Sequence, residues 1–297
     1  MPILESQLET WAGQGSVTQS AATYATIRRA LMEPSAKYRD RNFEVFLQGS
    51  YGNDTNIYAE SDVDVVIRYD GAFFHDLSEL PPKEQKAFAD EIPEGTYLYA
   101  DFKADVEKAL QAAFGRSVKP GNKVFTIAPN GSRRSADVVV TFEFRRYFKF
   151  NGEQDQNYEP GICFFRGDGV RIANYPKQHS ENCTAKHQAT NGNFKPMVRI
   201  FKNLRGALIE EGLIGEGTAP SYFIEGLLYN VPDALFTGSY EEMLYNCLDW
   251  LHKQPAVIRD KWLCVNEQYF LLRDDPVCWS PTHCVQFIDA AIKYWNR

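Results

Sequence analysis

The stretch Gln48–Asp70, QGSYGNDTNIYAESDVDVVIRYD, places Asp62 and Asp64 in a Val and Ile run that otherwise has the composition of a buried strand. A carboxylate is costly to bury without a partner, so something positive must meet these two. Residues two apart on a strand share a face. Asp62 and Asp64 are therefore expected to point one way, with Val63 and Val65 pointing into the core. Neighbouring carboxylates repel and raise one another's pKa unless a cation sits between them. Mg²⁺ is the natural candidate, because it takes hard oxygen ligands and completes its shell with water and phosphate oxygens. Asp137, heading the apolar run ADVVVTFEF, is the third acid that a neighbouring strand would contribute to a two-metal cage. Upstream, Gly49-Ser50 follows the strand-like FEVFLQ directly. Glycine lets the backbone approach a ligand closely, and the N–H groups and hydroxyl of such a turn can hold phosphate oxygens. The plain alternative is an edge-strand acid, a turn-facing acid and an ordinary loop, but several independent requirements would then be met by accident.

The 297 residues suffice for one large or two packed domains, and 44% apolar residues with 14% aromatics describe a well-packed globular chain. A formal net charge of −7 argues against broad electrostatic attraction to nucleic acid. The six cysteines show neither a CxxC pair nor a framework spacing and read as reduced thiols. No apolar run approaches a membrane span, and the first residues lack a signal-peptide pattern, so a cytoplasmic location is expected. Periodicity predicts helix from Glu5 to Met32, interrupted near Gly13 to Ser16. Strands are predicted at Phe43–Leu47, Asp62–Tyr69, Lys123–Ile127 and Ala136–Phe144, with helix between Leu80 and Phe114 broken near Pro93. The polar, Gly-rich region from Asn151 to Gly169 reads as a change of architecture. Helices are predicted beyond it at His179–Lys186, Lys195–Glu211, Ser221–Tyr229, Tyr240–Gln254 and Pro281–Asn296. His179, Cys183 and His187 fall four apart and would share a helix face. With no fourth ligand nearby they do not read as a zinc site.

A strand, Gly-Ser, eleven residues, Asp-x-Asp and a later strand Asp resemble the DNA polymerase β-like nucleotidyltransferase superfamily. Three further stretches narrow the likeness: ANYPKQHSENCTAKHQATN from Ala173, FKPMVRIFKNLR from Phe194 and PSYFIEGLLYNVPD from Pro220. With them the chain resembles the bacterial CD-NTases related to cyclic GMP-AMP synthase, in their CdnE-type clade, from ESQLETW to at least Pro232. The resemblance implies an α+β, bilobal protein. Residues 1–170 would form a mixed-sheet nucleotidyltransferase core with its N-terminal helix, and residues 171–297 a helical C-terminal lobe. It also implies a monomeric, templateless synthase joining two nucleoside triphosphates into a cyclic dinucleotide, with a separate effector of anti-phage (CBASS) signalling reading the product. Two Mg²⁺ ions, replaceable by Mn²⁺, would be held by Asp62, Asp64 and Asp137. Gln48, Gly49, Ser50, Lys202 and Ser221 would contact phosphate, and Tyr222 would stack on a base. Asn174 matches a position where pyrimidine-using members carry Asn and purine-preferring relatives often carry Ser. An amide can pair with N3–H and O4 of uracil, which favours UTP and ATP as substrates. An Asn that merely caps the turn before Pro176 is the alternative. Other purine products, a linear nucleotidyltransferase and a sensor without catalysis are the rival functions.

Overall fold

The fold is that of a computed structural model describing every residue except Met1, Pro2, Ser16, Glu60, Ser61, Asp274, Pro276 and Arg297. The predicted helix interruption at Ser16 therefore lies partly outside the described residues. Helices are α1 (Glu5–Ala12), α2 (Val17–Leu31), α3 (Gly49–Gly52), α4 (Pro82–Glu91), α5 (Tyr99–Phe114), α6 (Pro176–Ala189), α7 (Phe194–Glu210), α8 (Ser221–Tyr229), α9 (Tyr240–Lys253), α10 (Ala256–Arg259) and α11 (Pro281–Trp295). Strands are β1 (Phe43–Leu47), β2 (Val63–Asp76), β3 (Val118–Pro120), β4 (Phe125–Ile127), β5 (Ala136–Phe150), β6 (Gln156–Phe165) and β7 (Arg171–Asn174). No helix among the described residues is long and apolar enough to cross a membrane.

The chain divides into two compact units. The sheet unit comprises Thr18–Gln48 and Asp62–Pro176. Its mixed sheet runs β1-β2-β5-β4-β3, with β6 on the far length of β5 and β7 on β6. Only the β2–β5 pair is parallel among the described strands. Val63, Val65, Val66 and Ile67 are fully buried, as are Ala136 and Val138, which is why both runs are nearly continuous Val and Ile. On α5, Phe102, Val106 and Leu110 recur at helical spacing and are buried, Phe102 against Tyr69 and Phe142.

The helical unit gathers Met1–Val17, Gly49–Ser61 and Lys177–Arg297. Its centre is α7, where Phe194, Met197, Val198, Phe201, Leu204 and Leu208 form one apolar face in a core shared with Leu227, Leu244, Leu248 and Phe287. Each such side chain stabilises the fold by about 1.5–3 kcal/mol on burial. Leu8 and Ala12 of α1 enter the same core, and the Glu5 carboxylate accepts hydrogen bonds from the backbone N–H groups of Tyr240 and Glu241 at the start of α9, at 2.8 and 2.7 Å. This capping satisfies donors that the first helical turn leaves open.

The two contact-defined units do not follow a linear division at residue 170. Strand β7 stays with the sheet because it pairs with β6, so the change falls between Pro176 and Lys177, and α1 belongs with the helices. The region from Asn151 to Gly169 is likewise no simple boundary, since β6 occupies most of it.

Candidate active site

Strands β2 and β5 run parallel with Asp64 directly opposite Asp137 in register. Parallel neighbours in register project side chains from the same face, about 4.8 Å apart in the hydrogen-bonding direction. The strand alternation holds: Val63 and Val65 are buried while Asp64 between them is half-buried. Asp62 is exposed and immediately precedes β2, whose entry is pinned beside β5 by the bond from Val63 N–H to the Ser135 carbonyl, 3.0 Å. All three predicted acids thus gather at one end of the two central strands.

Asp137 shows what this arrangement costs. Burial pushes its carboxyl above the usual 3.8, the charge of Asp62 pushes the same way, and a hydrogen bond from Thr126 pulls against both. Thr126 Oγ1 donates to Asp137 Oδ1 at 2.7 Å from the facing position on antiparallel β4. Nothing in the residue types announces Thr126; only the register does.

Gln48 closes β1, and its N–H donates to the Asp64 carbonyl at 3.1 Å. The next residue, Gly49, takes φ 67°, in the left-handed region that favours glycine. Gly49–Gly52 is a single helical turn rather than an open loop, closed by Asn53 N–H to the Gly49 carbonyl and Thr55 N–H to the Ser50 carbonyl. Three side-chain atoms of this short span, Gln48 Oε1, Tyr51 OH and Asn56 Nδ2, are buried without a hydrogen-bond partner among the described residues. Native proteins rarely leave buried polar atoms unmatched.

In the helical unit, Ser221 opens α8 and its Oγ accepts from Arg205 Nη1 at 3.3 Å. Arg205 also donates to the Ala219 carbonyl, 3.0 Å. Sequence reasoning missed Arg205 although it ends the quoted FKPMVRIFKNLR. Tyr222 is half-buried: its ring stacks on Trp279, with centroids 5.2 Å apart, and packs on His179 at 4.5 Å.

Lys202, the expected triphosphate contact, lies on α7. Its side chain is fully buried, and its Nζ donates to Glu225 Oε1 at 3.0 Å and to the Thr55 carbonyl at 3.1 Å. Glu225 also accepts from Thr55 Oγ1 and from Asn53 Nδ2, and its Oε2 lies 2.6 Å from His179 Nε2. Burial alone would push the Glu225 carboxyl up; Lys202, His179 and Thr55 outweigh it and hold the group far below its usual 4.5. An ionised carboxylate only accepts, so Nε2 of His179 carries the proton of that contact. The ligand-type atoms that gather around His179 and Cys183 include Glu225 rather than His187. The Lys202 ammonium already supplies a cation there, and His187 Nδ1 accepts from Lys195 N–H at 3.4 Å. Asn174, at the end of β7 and half-buried, accepts the Tyr175 N–H on its Oδ1 at 2.8 Å.

A mixed sheet that brings three acids to one end of two parallel central strands, after a Gly-Ser turn, defines a nucleotidyltransferase. Comparison with known proteins agrees. The cGAS/DncV-like nucleotidyltransferase C-terminal helical domain matches residues 181–296. The chain is 38% identical to the cyclic nucleotide synthase CdnE01 of Staphylococcus haemolyticus, covering 100% of both chains. It is also 38% identical to the cyclic UMP-AMP synthase of Rhodothermus marinus, over 100% of this chain and 99% of that one. The solved structure of the Rhodothermus marinus CdnE c-UMP-AMP synthase with Apcpp and Upnpp superposes with a TM-score of 0.88 at 37% identity, covering 99% of this chain and 97% of that one. The chain belongs to the CdnE family of cyclic dinucleotide synthases, within the cGAS/DncV-like nucleotidyltransferases.

Proposed function

We propose that this synthase joins UTP and ATP into a cyclic UMP-AMP dinucleotide, and that Asp62, Asp64 and Asp137 hold two Mg²⁺ ions for the reaction. The register of Asp64 against Asp137 carries the reading. It sets hard oxygen donors side by side on the sheet, with burial and the neighbouring Asp62 charge holding Asp137 above its usual carboxylate range. That donor set fits a hard divalent cation. When bound, the ions supply charge neutralisation at the triphosphate and polarise the attacking hydroxyl, and Mn²⁺ can replace them.

The chain's own groups orient and exchange charge. Thr126 fixes the Asp137 carboxylate toward the incoming 3′-hydroxyl. Gln48, Gly49 and Ser50 receive phosphate oxygens through their N–H and hydroxyl donors. Ser221 with Arg205 receives the remaining phosphate charge, and Tyr222 presents its ring to a base, a sequence-tolerant contact suited to synthesis without a template. In each of two in-line displacements a bond forms from the 3′-oxygen to the α-phosphorus. The α–β bridging bond breaks, pyrophosphate leaves, and the hydroxyl proton passes to solvent. The family resemblance extends the proposal to a monomeric cytoplasmic enzyme whose product is read by a separate CBASS effector.

The choice of uridine rests on Asn174 and on the likeness to the Rhodothermus marinus enzyme. A purine-only product is the second reading, and one observation favours it. The Asn174 amide oxygen is already used by the Tyr175 N–H, so the residue has a local reason to be Asn. The test is incubation with each α-labelled NTP, alone and mixed, with Mg²⁺ or Mn²⁺, followed by phosphatase and chromatography. A phosphatase-resistant dinucleotide labelled from both UTP and ATP is expected, with Asn174→Ser shifting incorporation toward purines. Label from purines alone rejects the uridine assignment, and a linear or phosphatase-sensitive product rejects the synthase reading.

A further inference from the structure

Between α10 and α11 the helical unit has little regular structure, yet side chains of two helices hold this part of the chain in place. Asn230, at the end of α8, exchanges two bonds with the backbone of Leu263. Its Nδ2 donates to the carbonyl at 2.8 Å and its Oδ1 accepts the N–H at 3.0 Å. Asn182 on α6 donates to the Val265 carbonyl at 2.7 Å. An asparagine amide matches a backbone amide in donor and acceptor, so it can stand in for a neighbouring strand. Cys264 N–H donates to the Tyr269 carbonyl at 2.8 Å and Leu271 N–H to the Trp262 carbonyl at 2.7 Å, which closes the segment on itself. Trp262, Cys264, Val265 and Leu271 are buried in the same core as α7.

Two residues from this part of the chain converge on Tyr222. Asn266 is buried and its amide is divided: Oδ1 accepts the Gln268 N–H at 3.0 Å, and Nδ2 donates to the Tyr222 hydroxyl at 3.0 Å. The first bond is an Asx-type turn, and it assigns the nitrogen end of the amide to the tyrosine. Trp279, whose N–H donates to the Leu271 carbonyl at 2.9 Å, lays its ring on that of Tyr222 with an interplanar angle of 22°. Offset-stacked pairs of this kind contribute beyond the area they bury. The stacked ring fixes the plane of Tyr222, and the hydroxyl bond fixes where its far end lies.

We propose that Asn266 and Trp279 are positioning residues for the nucleobase: Trp279 sets the plane of the Tyr222 ring and Asn266 sets its far end, so that the ring is arranged before the base arrives. This rests on Tyr222 contacting a base, as proposed above. A side chain ordered in advance loses less conformational entropy on binding, so the benefit appears in affinity. Neither residue lies in the stretches that carry the family likeness, and their convergence on Tyr222 arises only in the fold.

The test uses the full chain and measures binding of non-hydrolysable ATP and UTP analogues with Mg²⁺ by calorimetry, beside steady-state kinetics and thermal melting. Tyr222→Phe keeps the ring and cuts the hydroxyl bond, Asn266→Leu cuts it from the other side, and Trp279→Leu removes the stacked ring. Each is expected to weaken binding of the nucleotide whose base meets Tyr222 by roughly fivefold, with KM raised to match and kcat within about twofold of wild type. The first two act through one bond, so the double variant should bind within about twofold of Asn266→Leu alone. Trp279→Phe should recover most of the loss seen in Trp279→Leu. Losses that multiply in the double variant overturn the proposal, because the hydroxyl then acts on the nucleotide without Asn266. So does wild-type affinity in folded Tyr222→Phe and Trp279→Leu proteins, and so does a lowered melting temperature with wild-type KM. Tyr222→Ala separates the proposal from the reading beneath it. If that variant folds and binds both analogues as wild type does, the base contact itself is refuted. If it binds weakly while Tyr222→Phe, Asn266→Leu and Trp279→Leu bind normally, only the positioning role falls.

Discussion

Asp137 of the sheet unit and Glu225 of the helical unit are the same chemical group in opposite electrical circumstances. Burial pushes both carboxyls up. At Glu225 an ammonium, an imidazole, a hydroxyl and an amide answer that burial, and the carboxyl falls far below its ordinary range. At Asp137 the answer is one neutral hydroxyl set against a neighbouring acid, and the carboxyl stays high. The saturated carboxylate is a fastening: it holds chain segments together and has no capacity left for a substrate. The under-compensated one would gain from a cation, which is what the proposed site for metal and triphosphate requires.

Removing each carboxylate should expose the difference. The largest effect on function is expected from Asp137→Asn, which should cut dinucleotide formation by about 10³-fold or more, since charge stabilisation at the transferring phosphoryl is the main catalytic resource. The same variant should be at least as stable as wild type at pH 7. A carboxyl raised in the fold favours its protonated form there, so the ionised state detracts from stability as pH rises through the folded value. Product assays and thermal melts read the two halves of this prediction.

Glu225→Gln should behave the other way. Leaving Lys202 buried beside a neutral amide should destabilise the protein by about 3 kcal/mol at pH 7. Because the Glu225 carboxyl is depressed in the fold, its contribution is fully present above its ordinary 4.5 and is lost as pH falls below it. The stability gap between wild type and variant, read by urea unfolding, should therefore narrow steadily from pH 5 downward. A gap that stays constant would show that Glu225 gains nothing from its charge.

The smallest effect is expected from Thr126→Val. It removes the bond that lowers the Asp137 carboxyl, so the acid limb of the pH–rate profile should move to higher pH. Activity at neutral pH should fall roughly tenfold, in keeping with one lost hydrogen bond to a charged group.

The contrast also explains what the sequence made legible. Asp64 stood out because an acid in a Val and Ile run demands a partner, and the strand pairing delivered Asp137 opposite it. Strand β1, the first part of β2 and helix α8 were likewise readable from periodicity and burial alone. The same argument applied to SYFIEGLLY would have singled out Glu225, a lone acid on an apolar helix, and would have sought its cation at Lys202. Strands β6 and β7 were hidden for a different reason. Pro160 and Gly161 signal a break, yet β6 is stabilised by ladders on both sides, and Gly161 is needed there because a Cβ would come within 2.7 Å of the Asn174 carbonyl. Thr126 could not be found from residue type at all, since its role arises only from register.

The measurement that bears most directly on this account is the titration of the Asp137 carboxyl by carbon NMR, with and without Mg²⁺, using Asp137→Asn to assign the signal. The account predicts a midpoint above the ordinary aspartate value in metal-free protein and a marked fall when Mg²⁺ is added. An ordinary midpoint that Mg²⁺ leaves in place would contradict it, because Asp137 would then be neither short of positive charge nor in contact with the ion.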